Sequence, residues 1–304
     1  MDITNYEKYL VRKPIYEAGA PMVSNRQCPT MTLMSNAHVP ESNCYIEPGW
    51  IYGMPEPNPH IHEMTHRYDE IVLHYGSDPD NPEELGGEIE FFVGGQPLKF
   101  STTTALFVPR GVRHGPLIWK KFSKPHIEMA FIVGTGNLKE GWEDSGAHEQ
   151  KEGLPQKTDA IDYEKYLVRK PIYETNGLKI KGRRSPLMTY MSKALVPECD
   201  IYVGLNWICD IPDQNPYILE HSHDHAEILL FIGSDHKDPE NLGGEIELYV
   251  SGQPLTFNTT SALFIPRGMR HGPLTWKKVI KPHMEISILL GGGSYVQSKP
   301  VFLR

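Results

Sequence analysis

Short apolar runs separated by turn residues recur along this chain. Residues 228–232 (ILLFI) and 262–265 (ALFI) are unbroken and bounded by polar, Gly or Pro positions. Runs of this length predict strands, and unbroken ones predict strands buried on both faces. In the C-terminal half the predicted strands cover 201–203, 227–232, 245–250, 261–265 and 283–290. The segments GSDPDNPEELGGEIEFFVGGQPL and GSDHKDPENLGGEIELYVSGQPL each read as a loop, a strand and a tight turn before Gln-Pro. Residues 6–17 fit either a short helix ending near Pro14 or an extended arm. Gly (27) and Pro (26) punctuate the runs of this 304-residue chain, which favours a β-sandwich or barrel over a helical fold.

The pattern is written twice. YEKYLVRKPIYE begins at Tyr6 and again at Tyr163, an offset of 157. The same offset carries Trp50 onto Trp207, Asn58 onto Asn215 and His114 onto His271 without a gap. Across 87–116 and 244–273, 22 of 30 positions are identical. Each unit is long enough to own a core, so this is a duplicated domain and not a short-period solenoid. The expected organisation is an N-terminal domain at 1–138, a polar linker at 139–162 and a C-terminal domain at 163–304.

Composition narrows the classes. The net charge is −8, with basic and acidic residues interspersed, so nothing points to nucleic acid as a partner. No apolar run is long enough to predict a membrane span, and the first ten residues lack a signal-peptide pattern. Cys28, Cys44, Cys199 and Cys209 have no CxxC spacing and no matched places in the two repeats. Free thiols and a cytoplasmic setting are expected.

Chemistry concentrates in His221-Ser222-His223-Asp224-His225-Ala226-Glu227 and, 44 residues beyond Glu227, His271. Residues at i and i+2 of an extended segment share a face, so His221 and His223 can grip one ion with Glu227 nearby. His271 arrives on another strand after the Pro266-x-Gly268 turn. Three imidazoles and a carboxylate suit a first-row divalent metal, with Fe favoured and Mn, Ni, Cu or Zn compatible. The first repeat keeps His66, Glu70 and His114 but has Met64 where the second has His221. The remainder has the composition of a two-His, one-carboxylate triad. His62, of the same strand parity as Met64, replaces the missing ligand if the strand slips or bulges; His60 and His74 share that parity.

Two further patterns recur. Arg110 and Arg113 match Arg267 and Arg270, next to the second motif. A guanidinium there suits a substrate carboxylate, and equally a surface ion pair. Lys-Pro-His-x-Glu occurs at Lys124–Glu128 and at Lys281–Glu285. His283 and Glu285 share a face and are candidates for acid–base work, or for a structural network. Trp50, Trp119, Trp207 and Trp276 form matched pairs that read as packing residues. Gly134 to Gly136 and Gly291 to Gly293 lack the strand–loop–helix context of a phosphate loop.

The residues His221, His223, Glu227 and Gly233, followed by Pro266, Gly268 and His271, resemble the two motifs of the cupin superfamily. Pro109, Gly111 and His114 repeat the second motif in the first half. The resemblance covers roughly 58–133 and 215–290. It implies an all-β chain of two tandem jelly-roll barrels, a bicupin, with the four ligands gathered inside a barrel. It also implies a metal-dependent enzyme acting on a small, anionic organic molecule. Non-haem dioxygenase chemistry comes first, with Arg267, Arg270, His283 and Glu285 as catalytic candidates. An isomerase, a decarboxylase or a non-catalytic ligand-binding bicupin are the alternatives, and assembly into a homo-oligomer is expected. The motifs mark a fold and a metal site, not one reaction.

Overall fold

In the second repeat the predicted strands form where the apolar runs stand. β13 (Ile201–Ile208), β14 (Ala226–Gly233), β17 (Ser261–Ile265) and β19 (His283–Leu290) build one sheet with β1 (Leu10–Val11), β12 (Leu187–Met191) and β11 (Ile172–Glu174). Its order is β1-β17-β14-β19-β13-β12-β11, and every pairing is antiparallel. A second sheet, β16-β15-β18, joins β15 (Asn241–Val250), β16 (Gln253–Thr259) and β18 (His271–Val279). This is a computed structural model, and it describes residues 5–17, 23–142, 153–174, 180–184, 186–216 and 218–294.

The first repeat does the same with β2 (Ser24–Arg26), β3 (Cys44–Glu56), β4 (Asp69–Gly76), β7 (Thr104–Val108), β9 (His126–Val133) and β10 (Leu167–Val168), in the order β10-β7-β4-β9-β3-β2. Its smaller sheet is β6-β5-β8, from β5 (Glu84–Val93), β6 (Gln96–Thr102) and β8 (His114–Phe122). β4 and β14 are each paired on both edges and buried along almost their whole length, as their unbroken apolar sequences require. β16 alternates instead: Leu255 and Phe257 are buried, while Thr256 and Asn258 are exposed. Each fully buried Leu, Ile or Phe contributes about 1.5–3 kcal/mol, and the buried apolar side chains run through both repeats.

Two backbone details explain conserved-looking letters within the duplication. The β5–β6 turn places Gly94 and Gly95 at φ of 55° and 80°, the positive values that a two-residue hairpin demands, and Ser251 and Gly252 take 46° and 83° in the second repeat. Gly76 and Gly233 end β4 and β14 where a Cβ would lie 1.9 and 2.0 Å from a carbonyl oxygen of the next strand.

The arm resolves into both of its expected forms. Residues Tyr6–Tyr9 make a 3-10 turn and β1 continues extended; Tyr163–Tyr166 and β10 repeat this. Asn5 and Asp162 accept from the amides of Glu7 and Glu164 at 3.0 and 3.1 Å, capping each turn. The partners of the arms alter the domain boundaries. β1 pairs with β17, Leu10 opposite Leu263, and β10 pairs with β7, Leu167 opposite Leu106. The compact units are therefore Met1–Pro14 with Pro171–Arg304, and Ile15–Lys170. Boundaries at 138 and 163 follow chain order, whereas backbone pairing assigns each arm to the barrel of the other repeat. A short helix, Leu138–Trp142, runs across the start of the expected linker; 153–162 is described, and 143–152 lies outside the described residues. The two units are called below the first-repeat and second-repeat units.

Candidate metal centres

In the second-repeat unit His221, His223, Glu227 and His271 converge. One potential ligand atom from each lies within 4.8 Å of the others. Glu227 sits at the start of β14 and His271 opens β18. The 221–223 segment reaches them through an antiparallel bridge in which His221 and His271 exchange backbone hydrogen bonds of 2.8 and 2.9 Å. His271 Nε2 is 3.0 Å and His223 Nε2 3.4 Å from Glu227 Oε2. The side chains of all three are 7% exposed or less, and His221 is buried.

The hydrogen bonds around the ring orient its lone pairs. His221 Nδ1 lies 2.7 Å from the Leu219 carbonyl and His271 Nδ1 3.0 Å from that of Met269. Carbonyls only accept, so both Nδ1 atoms carry hydrogen and both Nε2 atoms present lone pairs inward. Ser287, on β19, donates to Glu227 Oε1 at 2.7 Å. Glu227 Oε2 and His271 Nε2 have no hydrogen-bond partner by geometry, although both are buried. Two acceptors facing one another at 3.0 Å call for a cation between them, and a divalent metal fits this donor set.

The electrostatics agree. Burial lowers the His221 imidazole to about 4, assisted by the nearby His271, so it stays neutral. Burial would raise the Glu227 carboxyl, but the adjacent His223 and His271 imidazoles outweigh it and hold the group ionised, well below the usual range. Burial would lower His271, and the Glu227 carboxylate more than offsets it.

The first-repeat unit presents His66, Glu70 and His114 in the same way, their ligand atoms again within 4.8 Å. His114 Nε2 is 3.0 Å and His66 Nε2 3.5 Å from Glu70 Oε2. His114 Nδ1 donates to the Val112 carbonyl at 3.0 Å. Met64 bridges His114 just as His221 bridges His271, with 2.7 and 2.9 Å hydrogen bonds. Ile61 opposite Leu117 and Met64 opposite His114 keep one unbroken antiparallel register. No bulge lifts His62 into the place of Met64, and His62 stands outside the gathered ligand atoms. A two-residue offset is roughly 6–7 Å along an extended segment, too far to substitute.

The four candidates outside the ligand ring fall in different places. Arg267 and Arg270 are exposed; Arg270 pairs with Glu220 at the surface. Arg110 and Arg113 pair likewise with Asp69 and Glu63, at 3.6 and 3.2 Å. These arginines follow a strand end, where the turn aims them outward. His283 is fully buried and engaged at both nitrogens. Trp276 Nε1 donates to its Nε2 at 2.9 Å, and its Nδ1 donates to the Lys281 carbonyl at 3.2 Å. Burial lowers it to about 4. His126 repeats this with Trp119 at 3.0 Å and is also lowered to about 4. This pair is the structural form of the pattern: a buried indole N–H needs an acceptor, and the neutral imidazole supplies it. Glu285 is buried on the face of β19 that carries Ser287.

A scan against protein-family models finds no match, and a search of curated proteins finds none either. Solved structures do match. AerE from Microcystis aeruginosa aligns with a TM-score of 0.54 at 10% identity, covering 93% of this chain and 98% of that one. A variant of Bacillus subtilis oxalate decarboxylase aligns at 0.55 and 10%, covering 89% and 74%. Lactobacillus farciminis oxalate decarboxylase, in a formate complex, aligns at 0.53 and 10%, covering 88% and 82%. The chain has the bicupin fold. No helix among the described residues is long and apolar enough to cross a membrane.

Ser287 and Arg26, the partner of Glu128, escaped the sequence reading. Ser287 has no motif around it, and its match in the first repeat is Ala130. Arg26 and Glu128 form a buried pair, Nε to Oε2 at 3.1 Å, with His60 Nε2 3.3 Å from the same oxygen. Burial would raise Glu128, but the Arg26 charge and His60 hold it well below the usual range. Glu128 also lines a cavity of about 30 Å³ together with Glu70 and His114, walled by Ile61, Met64, Val72, Phe91, Leu117 and Ala130. The recurring His-x-Glu spacing was the only signal for it.

Proposed function

We propose that this bicupin is a metal-dependent enzyme whose second-repeat centre acts on a small organic molecule bound through oxygen. The convergence of His221, His223, Glu227 and His271 in a buried site carries the reading. When bound there, a first-row divalent ion supplies Lewis-acid polarisation of a substrate oxygen, and iron would add O₂ chemistry. The chain's own residues do the rest. The Leu219 and Met269 carbonyls fix the tautomers of His221 and His271. Ser287 fixes the Glu227 carboxylate. The apolar walls of the barrel exclude bulk water and strengthen every charge interaction inside.

Non-haem dioxygenase chemistry is the first reading, because a His-rich set with one carboxylate leaves positions on an iron ion for substrate and O₂. Decarboxylation is the second, supported by the fold shared with oxalate decarboxylases, one of them holding formate. Metal analysis of the purified protein comes first. Turnover of phenols, diketones and keto acids is then measured with and without O₂. Oxygen uptake coupled to substrate loss supports the first reading, and anaerobic CO₂ release supports the second. A protein that retains no divalent metal and binds none on addition overturns both.

A further inference from the structure

Met64 stands in the first repeat where the second has a ligand. Met64 and His114 exchange backbone hydrogen bonds of 2.7 and 2.9 Å, the same bridge that holds His221 against His271 at 2.8 and 2.9 Å. The backbone therefore presents the Met64 side chain as it presents that of His221. Met64 is only 3% exposed, and it lines the cavity of about 30 Å³ that Glu70 and His114 also line. By geometry Glu70 Oε2 and His114 Nε2 have no hydrogen-bond partner, although both are buried. Of the side chains around this cavity, only those of Glu70, His114, Glu128 and Met64 carry lone pairs, and the others are apolar. Glu128 belongs to a different cluster. It opposes His74, four residues along β4 from Glu70, and it pairs with Arg26. The Met64 thioether is the donor left beside the triad. The space suits roughly two waters, so no organic molecule completes the ring.

Resting on the reading of His66, Glu70 and His114 as metal ligands, we propose that the first-repeat centre is a copper(I)-selective site whose fourth donor is the Met64 sulfur. A thioether is a soft, polarisable donor. It favours Cu(I) and adds little to the binding of a harder divalent ion. Two imidazoles and a thioether suit Cu(I), and the apolar walls spare that weakly hydrated ion the competition of other polar groups. The second-repeat ring has a third imidazole, His221, at the matching position and no sulfur, which suits divalent ions. One substitution within a duplicated scaffold thus sorts two kinds of metal between two centres.

The test uses full-length protein carrying His223→Ala and His271→Ala, which silence the second centre. Cys28→Ser and Cys209→Ser remove the two thiols that are not buried, since thiols also take up Cu(I). Under reducing, oxygen-free conditions, competition with bicinchoninate reads the Cu(I) affinity, and competition with a zinc-binding dye reads the Zn(II) affinity. Met64→Leu keeps the volume and removes the sulfur. It should weaken Cu(I) binding by at least about tenfold and change Zn(II) binding by less than about threefold. Copper K-edge X-ray absorption of the protein with Met64 intact should show a copper–sulfur shell, so the inference stays testable if Met64→Leu misfolds. Equal Cu(I) affinities with and without the sulfur, or a shell of nitrogen and oxygen alone, overturn this inference and leave the metal reading intact. Uptake of neither ion overturns the metal reading of the first centre and the inference with it.

Discussion

The two barrels share strands, register and motif spacing, yet they distribute polarity differently. The second-repeat unit closes its ligand ring with His221 and steadies Glu227 with Ser287. Deeper along the same strand it places Phe231, which packs on Phe257 with ring centroids 5.2 Å apart. The first-repeat unit has Met64 and Ala130 at the ring, and puts its imidazole deeper, as His74, packed on Phe100 at the same 5.2 Å. Neither ring nitrogen of His74 has a hydrogen-bond partner among the described residues, and burial lowers it to about 3. One barrel thus gathers four candidate ligands where the other gathers three, and the other buries an additional imidazole, His74, deeper along β4. A duplicated scaffold tolerates this because the backbone pairing that sets the strands does not depend on those side chains.

The largest expected effect tests which barrel works. His271→Ala removes one of four ligands and should lower metal affinity and turnover by at least about 10- to 100-fold, the scale seen for mere outer partners. His114→Ala should cost less turnover. Metal content and turnover of both variants, with folding checked by circular dichroism, decide the order. An inactive His114→Ala beside an active His271→Ala would move the working centre to the first repeat.

Met64→His should come next, restoring the ring that His221 completes. Metal bound per chain should rise, read by elemental analysis after dialysis against a weak chelator. An unchanged stoichiometry would mean that the first ring gains nothing from a fourth donor.

Ser287→Ala and Ala130→Ser exchange the support of the carboxylate. Losing the Ser287 hydroxyl should weaken metal binding in the second repeat by about tenfold, with the fold unchanged. Competition with a chelator measures it, and a variant that binds as tightly as the parent removes Ser287 from the centre.

The Trp–His pairs should behave alike in both units. His283→Phe leaves the Trp276 N–H without an acceptor and should cost about 1–3 kcal/mol in chemical denaturation, while metal content holds. His283 and His126 titrate near 4 when folded and near 6.5 when unfolded, so between those values the unfolded chain binds more protons. Stability present above about pH 6.5 is therefore lost as pH falls toward 4. The slope is on the order of 1.4 kcal/mol per pH unit for each histidine. His283→Phe should flatten part of it, and an unaltered slope would contradict the burial of a neutral imidazole. The smallest effect is expected from Arg270→Ala, within about 1 kcal/mol for an exposed pair and with no change in bound metal.

Much of this protein was settled by letters in a row. The apolar runs, the offset of 157, the HxHxxxE spacing and the Pro-x-Gly-x-x-His turn pointed to the strands, the duplication and the four candidate ligands of the second repeat, because pleat and register are local properties of an extended chain. Only the tertiary structure decided the rest. The two arms are identical over twelve residues, and their targets, Ala262 with Leu263 and Ala105 with Leu106, are identical too, so local chemistry does not say which arm pairs with which barrel. Whether Met64 or His62 takes the vacant ligand position turned on an unbroken register with β8. Arg267 and Arg270 face solvent because a turn rotates them away, while Arg26, from a three-residue edge strand, reaches Glu128 across 102 positions of sequence. Contacts of that kind follow from how sheets close around a cavity, and spacing along one strand carries no trace of them.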